Sequence, residues 1–273
     1  MIISIYILGN IRTLEHIDLS NCKETEVLPL KLTHQRSLKI LTLTGTNLKE
    51  LPSAIGDLIN LEVLWIGSPL LDTLPPSLGD LRNLKKLRLQ DCSELQCLPA
   101  SVGRLLTKLE VVGCPAIKLP AFEGQREIAG TLKSDYSIQK YMPSLQWLVL
   151  EHTEVSEVSF DEGVCPNLQH LILKAYSNLV KVGTLPNTLT EVELSSCHKM
   201  INIEALGGLA KLQILKIEQC NELQELPRAV ECVKLKSIRD LGHLTKLEFL
   251  HVCVYRYRIL MPGGVPNCNG VRE

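Results

Sequence analysis

A phrase of 22 to 24 residues recurs along most of this chain and constrains its fold more than any other feature. Its clearest copy runs from Leu84 to Leu105. Leucine occupies the first, fourth and sixth places and cysteine the ninth, and Leu-Pro and Val-Gly-x-Leu follow. Internal repeats of this length indicate an architecture in which each unit stacks on its neighbours. Both the fold and the function therefore depend on one repeated unit and its variations.

Each unit opens with a segment that alternates apolar and polar residues, as in Leu41-Thr42-Leu43. This period of two predicts a short strand with one buried face. Most openings follow one another at 21 to 24 residues, and two steps, of 39 and 35 residues, are longer. The openings begin at Leu14, Leu38, Leu61, Leu84, Leu106, Leu145, Leu168, Leu189, Leu212 and Leu247.

The second half of the unit predicts a compact return path. The ninth place (Cys, Thr or Pro, and Tyr in two copies) turns the chain inward, and Leu-Pro pairs such as Leu98-Pro99 start the return in an extended conformation. Phrases such as Leu78-Gly79-Asp80-Leu81 are long enough for one helical or 3₁₀ turn. The chain is therefore predicted to be an α/β solenoid curved like a horseshoe. About ten short parallel strands would line its concave face, with loops and 3₁₀ or helical turns on the convex side.

The repeats predict a solenoid over residues 1–254 and an irregular tail over 255–273. The two long steps predict insertions near 121–141 and 228–237. The first insertion is either a protruding loop or one degenerate repeat plus a shortened one. Because Leu8-Gly9-Asn10-Ile11 matches the closing phrase of a unit, we expect the back part of a longer array or a truncated product.

Composition narrows the classes of partner. The formal net charge of −1 gives no general electrostatic case for nucleic acid or an acidic membrane. No apolar run approaches the ~20 residues of a membrane helix, and the apolar N-terminus lacks the basic region of a signal peptide. Five of the ten cysteines share the ninth place, which predicts buried, reduced thiols in an intracellular protein.

Motifs for catalysis, cofactors and metals are weak. Cys92 and Cys97 lack the second converging pair that a zinc site needs, and the seven histidines stand beside no nucleophile motif. The glycines at 263 and 264 are followed by neither a helix nor the lysine of a phosphate loop. We therefore expect no enzymatic activity, no cofactor and no metal.

The outward places of the strands favour protein binding. Both tryptophans of the chain fall on this face, where exposed aromatics and arginine are the usual interface anchors. Lys86, Arg88 and Lys108 lie near Trp65, and the acidic residues Glu191, Glu193 and Glu218 lie farther along, so segregated charge is predicted. In the simpler alternative, Trp65 packs on Val63 and Ile40 without any partner. The candidate residues are Trp65, Lys86, Arg88, Lys108, Glu110, Trp147, His170, Glu191, Glu193, Lys216 and Glu218.

The phrase Leu-x-x-Leu-x-Leu-x-x-Cys-x-x-Leu-x-x-Leu-Pro, with its Gly-x-Leu ending, resembles the leucine-rich repeats of plant intracellular nucleotide-binding disease resistance proteins. The resemblance implies a cytoplasmic or nuclear module that senses a ligand or restrains a signalling partner. That partner would be a pathogen effector, a guarded host protein or a neighbouring nucleotide-binding domain. No phosphate-binding loop accompanies the repeats, so nucleotide binding is not implied. The alternative is an intracellular scaffold or adaptor unrelated to pathogen perception.

Overall fold

The computed structural model describes residues 13–99, 101–117, 142–153, 155–160 and 163–223, and the strand at 237–239. Within them the chain forms a ten-stranded sheet and a separate sheet of two strands, β7 and β9. The strands are β1 (His16–Asp18), β2 (Ile40–Leu43), β3 (Val63–Ile66), β4 (Lys86–Gln90), β5 (Lys108–Val112), β6 (Trp147–Glu151), β7 (Glu157–Val158), β8 (His170–Lys174), β9 (Lys181–Val182), β10 (Glu191–Ser195), β11 (Ile214–Glu218) and β12 (Ser237–Arg239).

Equivalent places of neighbouring repeats lie side by side across the large sheet. His16 pairs with Ile40 at the third place, and Trp65 pairs with Arg88 at the fifth, and every pairing is parallel. Residues that share a place therefore form a row perpendicular to the strands. The predicted solenoid of about ten short parallel strands is confirmed.

The inward places form one continuous apolar core. Fourth-place residues such as Leu41 and Leu171 are fully buried, as are the leucines that follow the strands, such as Leu48 and Leu95. Burial of such a side chain contributes about 1.5–3 kcal/mol, but only when the neighbouring repeats cover it. Stability therefore depends on the contacts between repeats.

A left-handed backbone conformation recurs at the eighth place, immediately after the strand. Gly45 and Gly113 adopt it with φ of 67° and 63°. It costs a residue with a side chain about 1–2 kcal/mol, yet six such residues accept it because it directs the ninth residue into the core. These residues are Asn21, Asp91, His152, Ala175, Ser196 and Gln219. The turn predicted for the ninth place therefore begins one residue earlier, at the eighth.

The ninth place is buried in most described repeats, but the third repeat differs from the prediction. There Pro69 is exposed, and Ser68 is fully buried in its stead. The Ser68 hydroxyl donates a 2.6 Å hydrogen bond to the Leu48 carbonyl. Proline has no donor that could satisfy this carbonyl, which explains the exchange.

The predicted short turns occupy the return paths. Four 3₁₀ segments are present in the described residues, and one short helix, α1 (Leu30–Thr33), follows the first strand. The 3₁₀ segments span Ser53–Asp57, Pro76–Asp80, Val102–Arg104 and Glu204–Gly208.

The structure bears differently on the two long steps between repeat openings, of 39 and 35 residues. Strands β5 and β6 pair directly, from Lys108 with Trp147 to Val112 with Glu151, so no strand of the sheet stands between them. The insertion near 121–141 lies outside the described residues.

The interpretation of 228–237 as an insertion is wrong at its end, because Ser237–Arg239 forms the tenth strand and pairs with β11. Its repeat opens at Leu235, 23 residues after Leu212, where Ile238 and Asp240 obscure the leucine pattern. The opening at Leu247 and the tail are not among the described residues.

Candidate protein-binding face

The register brings all eleven candidate residues onto the outward side of the sheet, which we call the concave face. Its two principal rows are the third and fifth places of the strands. The third-place row contains Lys86, Lys108, Trp147, His170 and Glu191. The fifth-place row contains Trp65, Arg88, Glu110, Glu193 and Lys216, and Glu218 lies at the seventh place of β11.

Two of the three basic residues on β4 and β5 bind one carboxylate. Glu110 accepts from Arg88 Nη1 at 3.1 Å and from Lys108 Nζ at 2.7 Å. Lys86 is exposed and forms no ion pair with a residue that the structure describes. Its neighbour Glu62 is already bonded to Lys85 at 2.9 Å. The group therefore keeps a surplus of positive charge.

Trp147 lies at the centre of the face, held on both sides. The His170 ring stacks on it with centroids 4.0 Å apart and an interplanar angle of 17°. The Lys108 ammonium lies 5.1 Å from the tryptophan ring centroid, a cation–π distance. Trp147 is half-buried as a result. It therefore joins the basic strands to the acidic ones and is not a free anchor.

The predicted acidic patch is largely neutralised by neighbouring cations. Glu191 accepts from Lys216 Nζ at 2.6 Å and lies 3.0 Å from His170 Nδ1. Burial alone would raise the pKa of Glu191, but the hydrogen bonds from Lys216 and His170 lower it below its ordinary value. Glu193 pairs with Lys174 at 2.7 Å. The prediction of segregated charge is therefore wrong for this side, because cross-strand ion pairs offset the charges of Glu191 and Glu193.

Trp65 is the candidate with an accessible aromatic surface. It is 42% exposed and lies between Thr42 and Arg88 in the fifth-place row. The other large apolar side chains exposed in the described part of the chain lie outside the ten-stranded sheet: Val27, Leu30, Ile59, Leu70, Val180 and Ile201. Among the described residues, the concave face thus presents one solvent-accessible aromatic side chain, beside a group of cations with a surplus of positive charge.

Sequence reasoning missed Lys174, at the seventh place of β8. The repeat pattern could have indicated it, because a lysine at the seventh place of one strand lies one strand away from Glu193. It also missed alternating acidic and basic residues at the second place, which pair across repeats as Lys39 with Glu15 and Lys85 with Glu62. These second-place pairs are solvent-exposed, so their contribution to stability is small.

The ninth-place cysteines are shielded from solvent. Cys92, Cys114, Cys197 and Cys220 are buried, and each donates to the carbonyl two residues before it, as Cys114 does to Val112 at 3.4 Å. The hydrogen bond to Cys92, together with burial, raises the pKa of Cys114. Cys22, which follows β1, is only partly buried.

We expect a maleimide to label these buried thiols only after denaturation. The thiolate is the reactive form, and burial keeps the reagent away from it; at Cys114 and Cys197 a raised pKa also disfavours the thiolate. Exposed Cys97 should react at once, and Cys165, whose pKa burial raises to about 12, should not. Peptide-level mass spectrometry of natively labelled protein measures each site separately. Native labelling of Cys114 at the rate of Cys97 would contradict the buried arrangement.

No helix among the described residues is long and apolar enough to cross a membrane. In the same part of the chain, no group of three or more His, Cys, Asp or Glu side chains is arranged to hold a metal ion.

The parallel strand rows and the buried leucines form the solenoid fold of leucine-rich-repeat proteins. A family model described as a leucine-rich repeat region matches residues 2–123. A leucine-rich-repeat protein of Leptospira interrogans has a similar fold, with 21% identity and a TM-score of 0.48 over 90% of this chain and 74% of that one. Folds of this class are protein-interaction scaffolds.

The repeat domain resembles those of plant disease resistance proteins. Disease resistance protein RPS4B of Arabidopsis thaliana is 29% identical over 71% of this chain. Protein SUPPRESSOR OF npr1-1, CONSTITUTIVE 1 of the same plant is 26% identical over 93% of it. The chain spans about 15% of the length of each of these relatives.

Proposed function

We propose that this chain is the ligand-recognition region of a plant innate-immune receptor and binds a protein partner through its concave face. The observation that carries the proposal is Trp65, 42% exposed on the outward face of the sheet, next to Arg88. The likeness to plant resistance proteins supports the immune context. The partner would be a pathogen effector, a guarded host protein or a neighbouring nucleotide-binding domain.

The face has the properties of a preorganised interface. Ordered cross-strand contacts run from Arg88 through Glu110 and Lys108 to the stacked rings of Trp147 and His170. Side chains held in this way lose little further freedom when a partner binds, which favours affinity. Tryptophan and arginine also contribute most to measured interface energies.

We also propose that the protein works inside the cell. The described cysteines are free, and four of the five at the ninth place are buried. Free thiols in such number are typical of reducing compartments. A native disulfide between any two of the ninth-place cysteines would contradict this proposal.

Replacing Trp65 by Ala should weaken partner binding by about 2 kcal/mol or more, roughly 30-fold in Kd. The purified chain would be screened against secreted pathogen proteins and against nucleotide-binding domains of the matched relatives, and Kd measured by biolayer interferometry. Leu70→Ala is the matched control, because Leu70 belongs to the same repeat and is 47% exposed away from the sheet. We expect that control to change Kd by less than about twofold.

Equal effects of the two variants, or no effect of either, would place the binding surface elsewhere. The identity of the partner separates the receptor from the alternative of a scaffold or adaptor. Binding to a host signalling protein alone, with neither pathogen proteins nor nucleotide-binding domains recognised, would favour the adaptor. Thermal melts of both variants should match the wild type, so that a loss of binding is not a loss of fold.

A further inference from the structure

We propose that the part of the concave face between β3 and β8 binds an extended peptide segment in which one acidic residue is flanked by apolar residues on either side. This inference rests on the proposed function and adds the chemistry of the partner. The segment would cross the strands, with its acidic side chain over β4 and β5. Its two apolar side chains would meet Trp65 and the centre of the face.

The positive charge on β4 and β5 favours an acidic residue in the peptide. Arg88 and Lys108 share the single carboxylate of Glu110, and Lys86 beside them on β4 has no ion pair with a described residue. Arg88 also donates from Nη2 to the Gln90 amide oxygen at 3.1 Å, which fixes its guanidinium in position. An incoming carboxylate can pair with exposed Lys86 and with the edge of this group without displacing any contact. The surplus of positive charge is too small and too local to bind a nucleic-acid backbone, because such binding depends on many phosphate contacts.

Apolar side chains lie on both sides of the cations on the concave face. On one side Trp65 is exposed, with Val63 and Ile40 half-buried beside it in the third-place row. On the other side the half-buried side chains of Val149 and Ile172 pair across β6 and β8, beside the ring of Trp147. The face is therefore apolar, basic and apolar in order across six neighbouring strands, β2 to β6 and β8.

Strand spacing sets the length of the complementary segment. Strands lie about 4.8 Å apart, so Trp65 on β3 and Val149 on β6 are separated by about 14 Å. An extended chain rises about 3.3 Å per residue and turns alternate side chains to one face, so the matching apolar residues are about four apart. The residue midway between them then faces β4 and β5. The complementary pattern is apolar-x-acidic-x-apolar.

Glu110 is a built-in competitor for such a ligand. Its carboxylate occupies both Arg88 and Lys108, which a ligand carboxylate would otherwise engage. Removing its charge should therefore strengthen binding, whereas removing the charge of Lys86 should weaken it. A nonspecific loss of structure would weaken binding in both variants. It would not make one substitution lower Kd and the other raise it.

A phage-displayed library of random twelve-residue peptides, panned on the purified chain, tests the inference. We expect enrichment of apolar-x-(Asp/Glu)-x-apolar. The strongest binder would be synthesised with a fluorescent label, together with a version carrying Gln for its acidic residue. Fluorescence polarisation should show Kd lowered about fivefold by Glu110→Gln and raised about fivefold by Lys86→Gln. Lys31→Gln, an exposed lysine on α1, should leave Kd unchanged.

The inference is overturned if no peptide is enriched, or if the enriched peptides lack the acidic residue. It is also overturned if they carry further apolar residues three and seven places after the first, as one face of an amphipathic helix does, or if Glu110→Gln does not tighten binding. Thermal melts confirm that each variant is folded. If a partner protein loses affinity with Trp65→Ala but is indifferent to Glu110→Gln and Lys86→Gln, the proposed function stands and this inference fails. If Trp65→Ala changes nothing, both fail.

Discussion

Replacing Leu171 by Ala should lower the free energy of unfolding by about 3 kcal/mol. Leu171 is fully buried at the fourth place of β8 and lies between Leu148 of β6 and Val192 of β10. Its truncation leaves a cavity that the flanking strands cannot close, because their own side chains are fixed by the next repeats. Urea denaturation followed by circular dichroism measures the change.

The position of Leu171 in the array predicts a second effect. Repeat proteins hold together through contacts between neighbouring units, so a weakened central unit uncouples the two sides. We expect the single unfolding transition to broaden or divide into two. Ile172→Ala is the matched control, because Ile172 is the next residue of the same strand and faces outward, half-buried. It should cost less than about 1 kcal/mol, and an equal loss from both variants would contradict the assigned faces.

Replacing Gly113 by Ala should lower the free energy of unfolding by about 2 kcal/mol, more than an ordinary surface substitution. Gly113 adopts a φ of 63°, and an added Cβ would overlap Asp91 Oδ1 of the preceding repeat. Backbone strain and the clash therefore act together. Thermal and urea denaturation of the purified variant measure the loss.

A double-mutant cycle separates the two causes of that loss. Asp91→Gly removes the overlapping oxygen and also relieves a φ of 53° at Asp91 itself. In this background Gly113→Ala should cost only the backbone strain, about 1 kcal/mol. Ala175→Gly is the reverse control, because Ala175 holds the same place with φ of 53°, and it should not destabilise the protein. An unchanged cost of Gly113→Ala in the Asp91→Gly background would exclude the clash.

The periodic places of the chain were predictable from the sequence because each obeys a local rule. Alternation in Leu87-Arg88-Leu89 requires a half-buried strand, and stacking such units leaves one register that buries every leucine. Nine predicted openings, from Leu14 to Leu212, therefore coincide with strands of the sheet. The rows of the concave face follow from that register, so all eleven candidate residues could be placed on one face.

The tenth strand was missed because its local pattern is poor. Ile238 and Asp240 break the leucine pattern after Leu235, yet Ile238 pairs with Leu215 as any fourth-place residue would. The free edge of β11 accepts the next chain segment through backbone hydrogen bonds, which do not depend on a leucine at every place. Tertiary context thus decided a strand whose first residue, Ser237, had been assigned to an insertion from the sequence alone.

The sequence by itself determined the fold, the register and the face on which each polar residue lies. Only the tertiary structure decided which of those residues remain available to a partner. Trp65 and Trp147 occupy equally outward places, but Lys108 and His170 enclose Trp147 and leave Trp65 open. Glu191 and Glu193 read as an acidic patch until Lys216 and Lys174 reach them from adjacent strands. The reason is physical. Strand periodicity within one repeat sets the face of the sheet on which a side chain lies. How exposed that side chain is, and whether its charge is paired, depends on the side-chain conformations of the repeats on either side.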